Sequence, residues 1–192
     1  MSSHIVVVAG PNGCGKTTFV REYLESYPYP YISADDIAET MDSDSIDDVR
    51  FEAGREFFTQ VDAHLSNGDN FIVESTLSGL MFKKVLNKAR EASYDISILF
   101  IFLGSPEACV ARIQERVRKG GHSIPDIDVR RRFPRSIINF WNTYRTFSHR
   151  WHLFYNGGVQ FHEVALGEGD IIEIRDEDLF EVFLNLAQQK DG

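Results

Sequence analysis

The stretch Gly10-Pro11-Asn12-Gly13-Cys14-Gly15-Lys16-Thr17 has the spacing of a phosphate cradle: a glycine, four residues, then Gly-Lys-Thr. Glycines let the backbone turn its N–H groups inward around phosphate oxygens, and a helix starting there adds partial positive charge. Lys16 is then placed to reach β- and γ-phosphates, and the Thr17 hydroxyl to bind Mg²⁺. Thr18 completes the segment expected to contact nucleotide. The flanks agree with this reading. Ile5–Ala9 reads as a buried strand, and the residues from Gly15 to Ser26 read as a helix stopped by Pro28 and Pro30. The implied cofactors are ATP and Mg²⁺.

Phosphoryl transfer to a hydroxyl needs more than a cradle. It needs a group that orients or deprotonates the acceptor, and cations around the moving phosphoryl. Asp35 follows a short predicted strand, Tyr31–Ser33, and is the candidate for the first role. Asp36 competes for it, and both could instead be first-turn acids of a short helix. Glu74 ends the apolar run Phe71-Ile72-Val73, where an unpaired carboxylate is costly. It therefore requires an acceptor hydroxyl, a metal-bound water or an arginine. Thr76, two residues on, is a further candidate substrate contact, as is Arg112. Arg112 and Arg116 lie four residues apart and share one helix face. Arg130, Arg131 and Arg132 cannot all point the same way on a helix. Gly120-Gly121 lies between the two arginine groups and could act as a hinge, with His122 beside it as a loop hydrogen-bonding residue.

These groups need a scaffold that brings them to one edge. Strand-like and helix-like segments alternate, which predicts a parallel sheet with crossover helices. Helices are expected over Ser45–Ser66, Leu80–Ala92, from Pro106 to Gly120, and over Ile127–Thr146. Ile96–Leu103 is the most apolar strand and is expected at the centre. Trp151–Tyr155, Gln160–Leu166 and Ile171–Ile174 read as late strands, and Asp178–Gln188 as the final helix. In such a sheet ligands gather at the carboxyl ends of strands. The cradle, Asp35 and Glu74 follow three successive strands and should share that rim. No linker divides the 192 residues, which read as one domain.

Composition narrows the options. The net charge of −9 argues against general nucleic-acid binding. Half of the 20 Lys and Arg nevertheless fall between Arg112 and Arg150, which suits a small anionic ligand. No apolar run approaches the ~20 residues of a membrane span, and the first residues lack the features of a signal peptide. Cys14 and Cys109 form no disulfide framework or metal pattern, so a reducing cytoplasm is the simplest setting. No Asn-Lys-x-Asp guanine motif is present. Leu77-Ser78-Gly79 echoes the signature of transporter ATPases, but no strand ending in Asp-Glu follows it.

Four segments, in order, carry a resemblance. They are Ala9–Thr18, Ile32–Ala38, Glu74–Gly79, and Arg116–Pro125 continuing to Arg130–Ser136, together spanning residues 5 to about 140. The chain resembles the zeta-toxin-like P-loop kinases, in particular the branch often labelled predicted ABC-type ATPases. The resemblance implies an α/β fold of three layers, with a mostly parallel central sheet and an arginine-bearing helical lid. It implies ATP-dependent phosphorylation of a sugar-nucleotide hydroxyl, as zeta toxins phosphorylate UDP-N-acetylglucosamine. It aligns the catalytic base with Asp35, the cradle lysine with Lys16, the phosphate-stabilising arginines with Arg116 and Arg132, and a substrate-side acid with Glu74. A small antitoxin protein is the implied possible partner. The chain departs from the family at Ser33, near His149, and at Phe154-Tyr155-Asn156-Gly157, where an Asp-Asn-Ser run is usual. A metabolic kinase for another hydroxyl acceptor, or an ATP-binding regulator without useful turnover, are the alternative readings.

Overall fold

A computed structural model describes residues 2–41, 46–121 and 123–188. Seven strands form one sheet in the order β2-β3-β1-β4-β5-β6-β7. They are β1 (His4–Ala9), β2 (Tyr31–Ile32), β3 (Phe71–Ser75), β4 (Asp95–Phe102), β5 (Arg150–Tyr155), β6 (His162–Glu168) and β7 (Ile171–Ile174). The first five are parallel, and β6 and β7 add an antiparallel extension. The helices are α1 (Lys16–Ser26), α2 (Ala34–Glu39), α3 (Ile46–Asn67), α4 (Lys83–Glu91), α5 (Pro106–Arg118), α6 (Asp126–Asn142) and α7 (Glu177–Gln188). This is the mostly parallel sheet expected from the alternation of elements, in the P-loop kinase-like arrangement that the resemblance implies.

The strand sequences explain the layering. Ile5 to Ala9 of β1 and Ile96 to Phe102 of β4 are buried without a break, so helices cover both faces of the sheet. β4 is the middle strand, as its apolar run predicts. Late in the chain, the Phe183 ring of α7 packs edge-on against Phe100, Phe102, Phe140 and Trp141, closing the core over β4 and α6.

Several boundaries differ from those the sequence predicts. The stretch from Leu80 begins as turns and becomes helical only at Lys83. The helix expected to continue to Thr146 stops at Asn142 and gives way to a 3₁₀ turn, Tyr144–Phe147. The Arg90 guanidinium caps that turn through the Thr146 and Phe147 carbonyls. Ser33 leaves β2 and becomes the N-cap of α2, its hydroxyl accepting from the Asp36 N–H at 3.4 Å.

This topology sets where ligands can sit. From the carboxyl end of β1 the chain turns toward β2; from the adjacent β4 it turns the other way, toward β5. The crevice outside that reversal is where open α/β sheets bind ligands.

Candidate active site

The cradle is folded tightly onto the sheet edge. The Gly10 N–H donates to the Ser75 carbonyl at 3.3 Å, tying the loop to the end of β3. The Cys14 N–H donates to the Pro11 carbonyl, also at 3.3 Å. Gly15 precedes α1 with φ +102°, a left-handed conformation open to glycine but strained for other residues. Gly10, Pro11, Asn12, Cys14 and Lys16 are buried, Gly13, Gly15 and Thr17 are half-buried, and Thr18 faces solvent. The side-chain oxygen Oδ1 of Asn12 is buried with no hydrogen-bond partner among the described residues.

Glu74 is where the cradle meets β3. It pairs in register with Val8 of β1, one residue short of that strand's end. Lys16 Nζ stands 3.7 Å from its Oε1, with both side chains under a tenth exposed. Thr17 Oγ1 donates to Oε2 at 3.0 Å, and the Tyr31 hydroxyl donates to the same oxygen at 2.8 Å. Lys16 Nζ also donates to the Pro11 carbonyl at 3.2 Å. The buried carboxylate is thus met by a cation and two hydroxyls, which offsets its desolvation. Burial alone would lower the Lys16 ammonium, but Cys14 and the Glu74 and Asp35 carboxylates outweigh it and hold the group above the usual lysine range. Burial, and then Glu74, push the Tyr31 phenol up. The arginine considered for Glu74 on sequence is replaced, among the described residues, by the cradle lysine.

Asp35 and Asp36 occupy the first turn of α2, after the adjacent strand end, and both are exposed. Their fields reach the cradle: Asp35 contributes to the Lys16 shift, and Asp36 is raised by burial, then by Glu74, Glu39 and Asp35. The rim expected from the sequence therefore exists, with the cradle, Glu74 and α2 along one edge.

The arginines divide. Arg112 donates to the Asn156 carbonyl. Arg116 is exposed, and a Cβ on Gly121 would lie 2.6 Å from its Cγ. The N–H groups of Gly120 and Gly121 bond back to Val117 and Arg116 and end α5. His122 lies outside the described residues. Arg130 pairs with Glu107 and Arg131 with Asp128 on the surface. Arg132 is half-buried and makes no hydrogen bond or ion pair among the described residues. It lies one turn before Ser136 and shares a helix face with Ser136 and Asn139. That face holds the loop after β3. Ser136 donates to the Thr76 carbonyl, Asn139 to the Leu77 carbonyl at 3.0 Å, and the Tyr144 hydroxyl to the Gly79 carbonyl at 2.6 Å. The Thr76 and Ser78 hydroxyls bond to each other at 2.9 Å. The Leu77-Ser78-Gly79 echo is thus a loop pinned to α6, with Leu77 buried at φ +51°.

Two contributors escape the sequence reading. Tyr31 reads as an ordinary strand tyrosine, and Asn156 falls in a segment that departs from the family pattern. Asn156 sits directly after β5, so the rim rule applied to the β1, β2 and β3 ends would have flagged it at a fourth strand end.

Comparisons with known proteins agree with this fold. An uncharacterized protein of Haemophilus influenzae is 28% identical over 133 residues, covering 69% of this chain and 94% of that one. The AvrRxo1-ORF1:-ORF2 complex with ATP matches at 15% identity and a TM-score of 0.74, covering all of this chain and 66% of that one. The PezAT chromosomal toxin-antitoxin system of Streptococcus pneumoniae matches at 16% identity and a TM-score of 0.65, covering 95% and 79%. At these identities the structures speak to the fold. The family model for the AAA domain matches residues 5–133, which hold the cradle, Glu74 and both arginine helices through Phe133, and the chain belongs to that family.

Proposed function

We propose that this chain is an ATP-dependent small-molecule kinase of the zeta-toxin type, transferring the γ-phosphate to a hydroxyl of a sugar nucleotide such as UDP-N-acetylglucosamine. One observation carries the reading: Lys16 and Thr17 converge on the buried Glu74 carboxylate, while Asp35 stands after the adjacent strand end on the same rim.

In this reading Lys16 leaves the Pro11 carbonyl for β- and γ-phosphate oxygens. Asp35 orients the acceptor hydroxyl and takes its proton as the new O–P bond forms. The bond from the γ-phosphorus to the bridging oxygen breaks, leaving ADP. The Thr17 hydroxyl and the Glu74 carboxylate are two oxygen donors 3.0 Å apart, a donor set suited to Mg²⁺. Bound there, Mg²⁺ would neutralise charge on the phosphates. Arg116 and Arg132 supply further positive charge, with Arg132 held on the α6 face that pins the Thr76 loop. Thr76 and Arg112 border the space left for the acceptor.

Residues 1–192 act here as one kinase unit in the cytoplasm. Among the described residues no helix is long and apolar enough to cross a membrane. The PezAT likeness supports a small antitoxin protein as partner.

The test is ADP formation with Mg²⁺ and ATP, with and without a panel of sugar nucleotides and free sugars, using Lys16→Ala as the blank. ADP formation stimulated by one acceptor and lost in the blank is expected. ATP uptake with no stimulation by any acceptor would favour the regulator instead.

A further inference from the structure

The cradle is braced by a side chain from the far end of the sequence. Asn156 is the first residue past β5 and only 8% exposed. Its backbone N–H donates to the Phe102 carbonyl at 3.0 Å, fixing it beside the end of β4. Its Nδ2 donates to the Cys14 carbonyl at 2.8 Å, and its own carbonyl accepts from Arg112. A Cβ on Gly15 would run into that same amide nitrogen, so the Asn156 amide lies directly on the Cys14–Gly15 peptide.

Peptide planarity gives this contact a consequence. Across a trans peptide the C=O and the following N–H point in opposite directions. Holding the Cys14 carbonyl against Asn156 turns the Gly15 N–H away from Asn156 and into the loop. Without that anchor the peptide could rotate and withdraw the donor. Arg112, on α5, holds Asn156 from its other side.

We propose that Asn156 is a positioning residue for the nucleotide phosphates. Clamped by Arg112, it aims the Gly15 N–H at the triphosphate. The proposal rests on the nucleotide-binding reading above, and it moves Arg112 from the acceptor side to the phosphate side of the site.

Calorimetric titration of MgATP into wild type, Asn156→Ala, Asn156→Asp and Arg112→Gln tests it, with a thermal melt of each protein. Asn156→Ala should weaken ATP binding about tenfold, and Asn156→Asp, which sets an acceptor against the Cys14 carbonyl, by more. Arg112→Gln should lose a few-fold. In ¹⁵N-edited spectra the Gly15 amide should shift on adding MgADP to wild type and shift much less in Asn156→Asp. Variants that melt at lower temperature yet bind ATP within twofold of wild type would reduce Asn156 to a packing role and overturn the proposal. If both Asn156 variants fail to fold, Arg112→Gln decides: unchanged affinity there overturns it as well. If wild type takes up no ATP, the cradle reading itself fails. If wild type binds and the variants bind equally, this proposal alone falls.

Discussion

The two ends of the rim are built differently. At the phosphate end, Glu74 is buried and receives Lys16, Thr17 and Tyr31, while the cradle carbonyls of Pro11 and Cys14 accept from Lys16 and Asn156. At the proposed acceptor end, Asp35 is exposed, and the side chains of Asp35 and Arg132 make no hydrogen bond among the described residues. A buried polar group must be partnered in the resting protein, whereas an exposed one can wait for its ligand. The phosphate end is therefore organised before anything binds. In the proposed kinase reading, Asp35 and Arg132 are left to be ordered by substrate, and such a site would fix the class of acceptor less tightly than it fixes ATP.

The largest expected effect breaks that contrast at its open end. Asp35→Asn keeps the shape and removes the proposed base, so turnover should fall about 10²-fold while ATP affinity stays within a factor of two. Asp36→Asn should cost far less. Steady-state kinetics on both variants, with ATP affinity measured separately, check this. Wild-type turnover in Asp35→Asn together with a large loss in Asp36→Asn would hand the role to the neighbour.

Arg132 sharpens the same contrast. A half-buried guanidinium whose side chain has no partner among the described residues should bind most strongly where charge develops. Arg132→Ala should lower kcat on the order of tenfold or more and leave the ATP dissociation constant nearly unchanged. A loss confined to affinity would place Arg132 at the phosphate end with Lys16.

The same difference explains what the sequence discloses. The cradle was legible because its chemistry is done by contiguous residues, Gly10 to Thr17. The rim was legible because strand ends in a parallel sheet share an edge, so the apolar runs ending near Asp35 and Glu74 placed them together. The sheet order places Glu74 beside the cradle, since β3 and not β2 is the neighbour of β1. The rim rule marks Asn156 as a strand-end residue, but its grip on Cys14 was not legible, because the two meet across 142 positions of chain and only the register of β4 with β5 brings them together. Ser136 and Asn139 were hidden likewise: a helix face can be counted from sequence, but the loop it grips cannot. The end of α6 at Asn142 was missed because the 3₁₀ turn that follows keeps a helix-like spacing and is capped by the distant Arg90.

The smallest effect probes how dry the phosphate end is. Burial pushes the Cys14 thiol from 9.0 up to about 11, and Cys109 behind it to about 12. A raised value means the folded protein holds each proton more tightly than the unfolded chain does. Stability from these thiols is then fully present below pH 9 and is lost as pH climbs through 9 toward 11 or 12. Lys16 and the tyrosines Tyr23, Tyr31, Tyr94 and Tyr144, also raised, add losses of the same sign, but their ordinary values of 10.5 and 10.0 delay most of those to higher pH. Between about pH 9 and 10 the two thiols therefore dominate the slope. Each contributes at most about 1.4 kcal/mol per pH unit, so Cys14→Ala should remove roughly a third of the fall in unfolding free energy across that window. Denaturant melts of both proteins at a series of pH values measure it. An unchanged slope would mean that water reaches the Cys14 sulfur, and that the cradle is as open as the acceptor end.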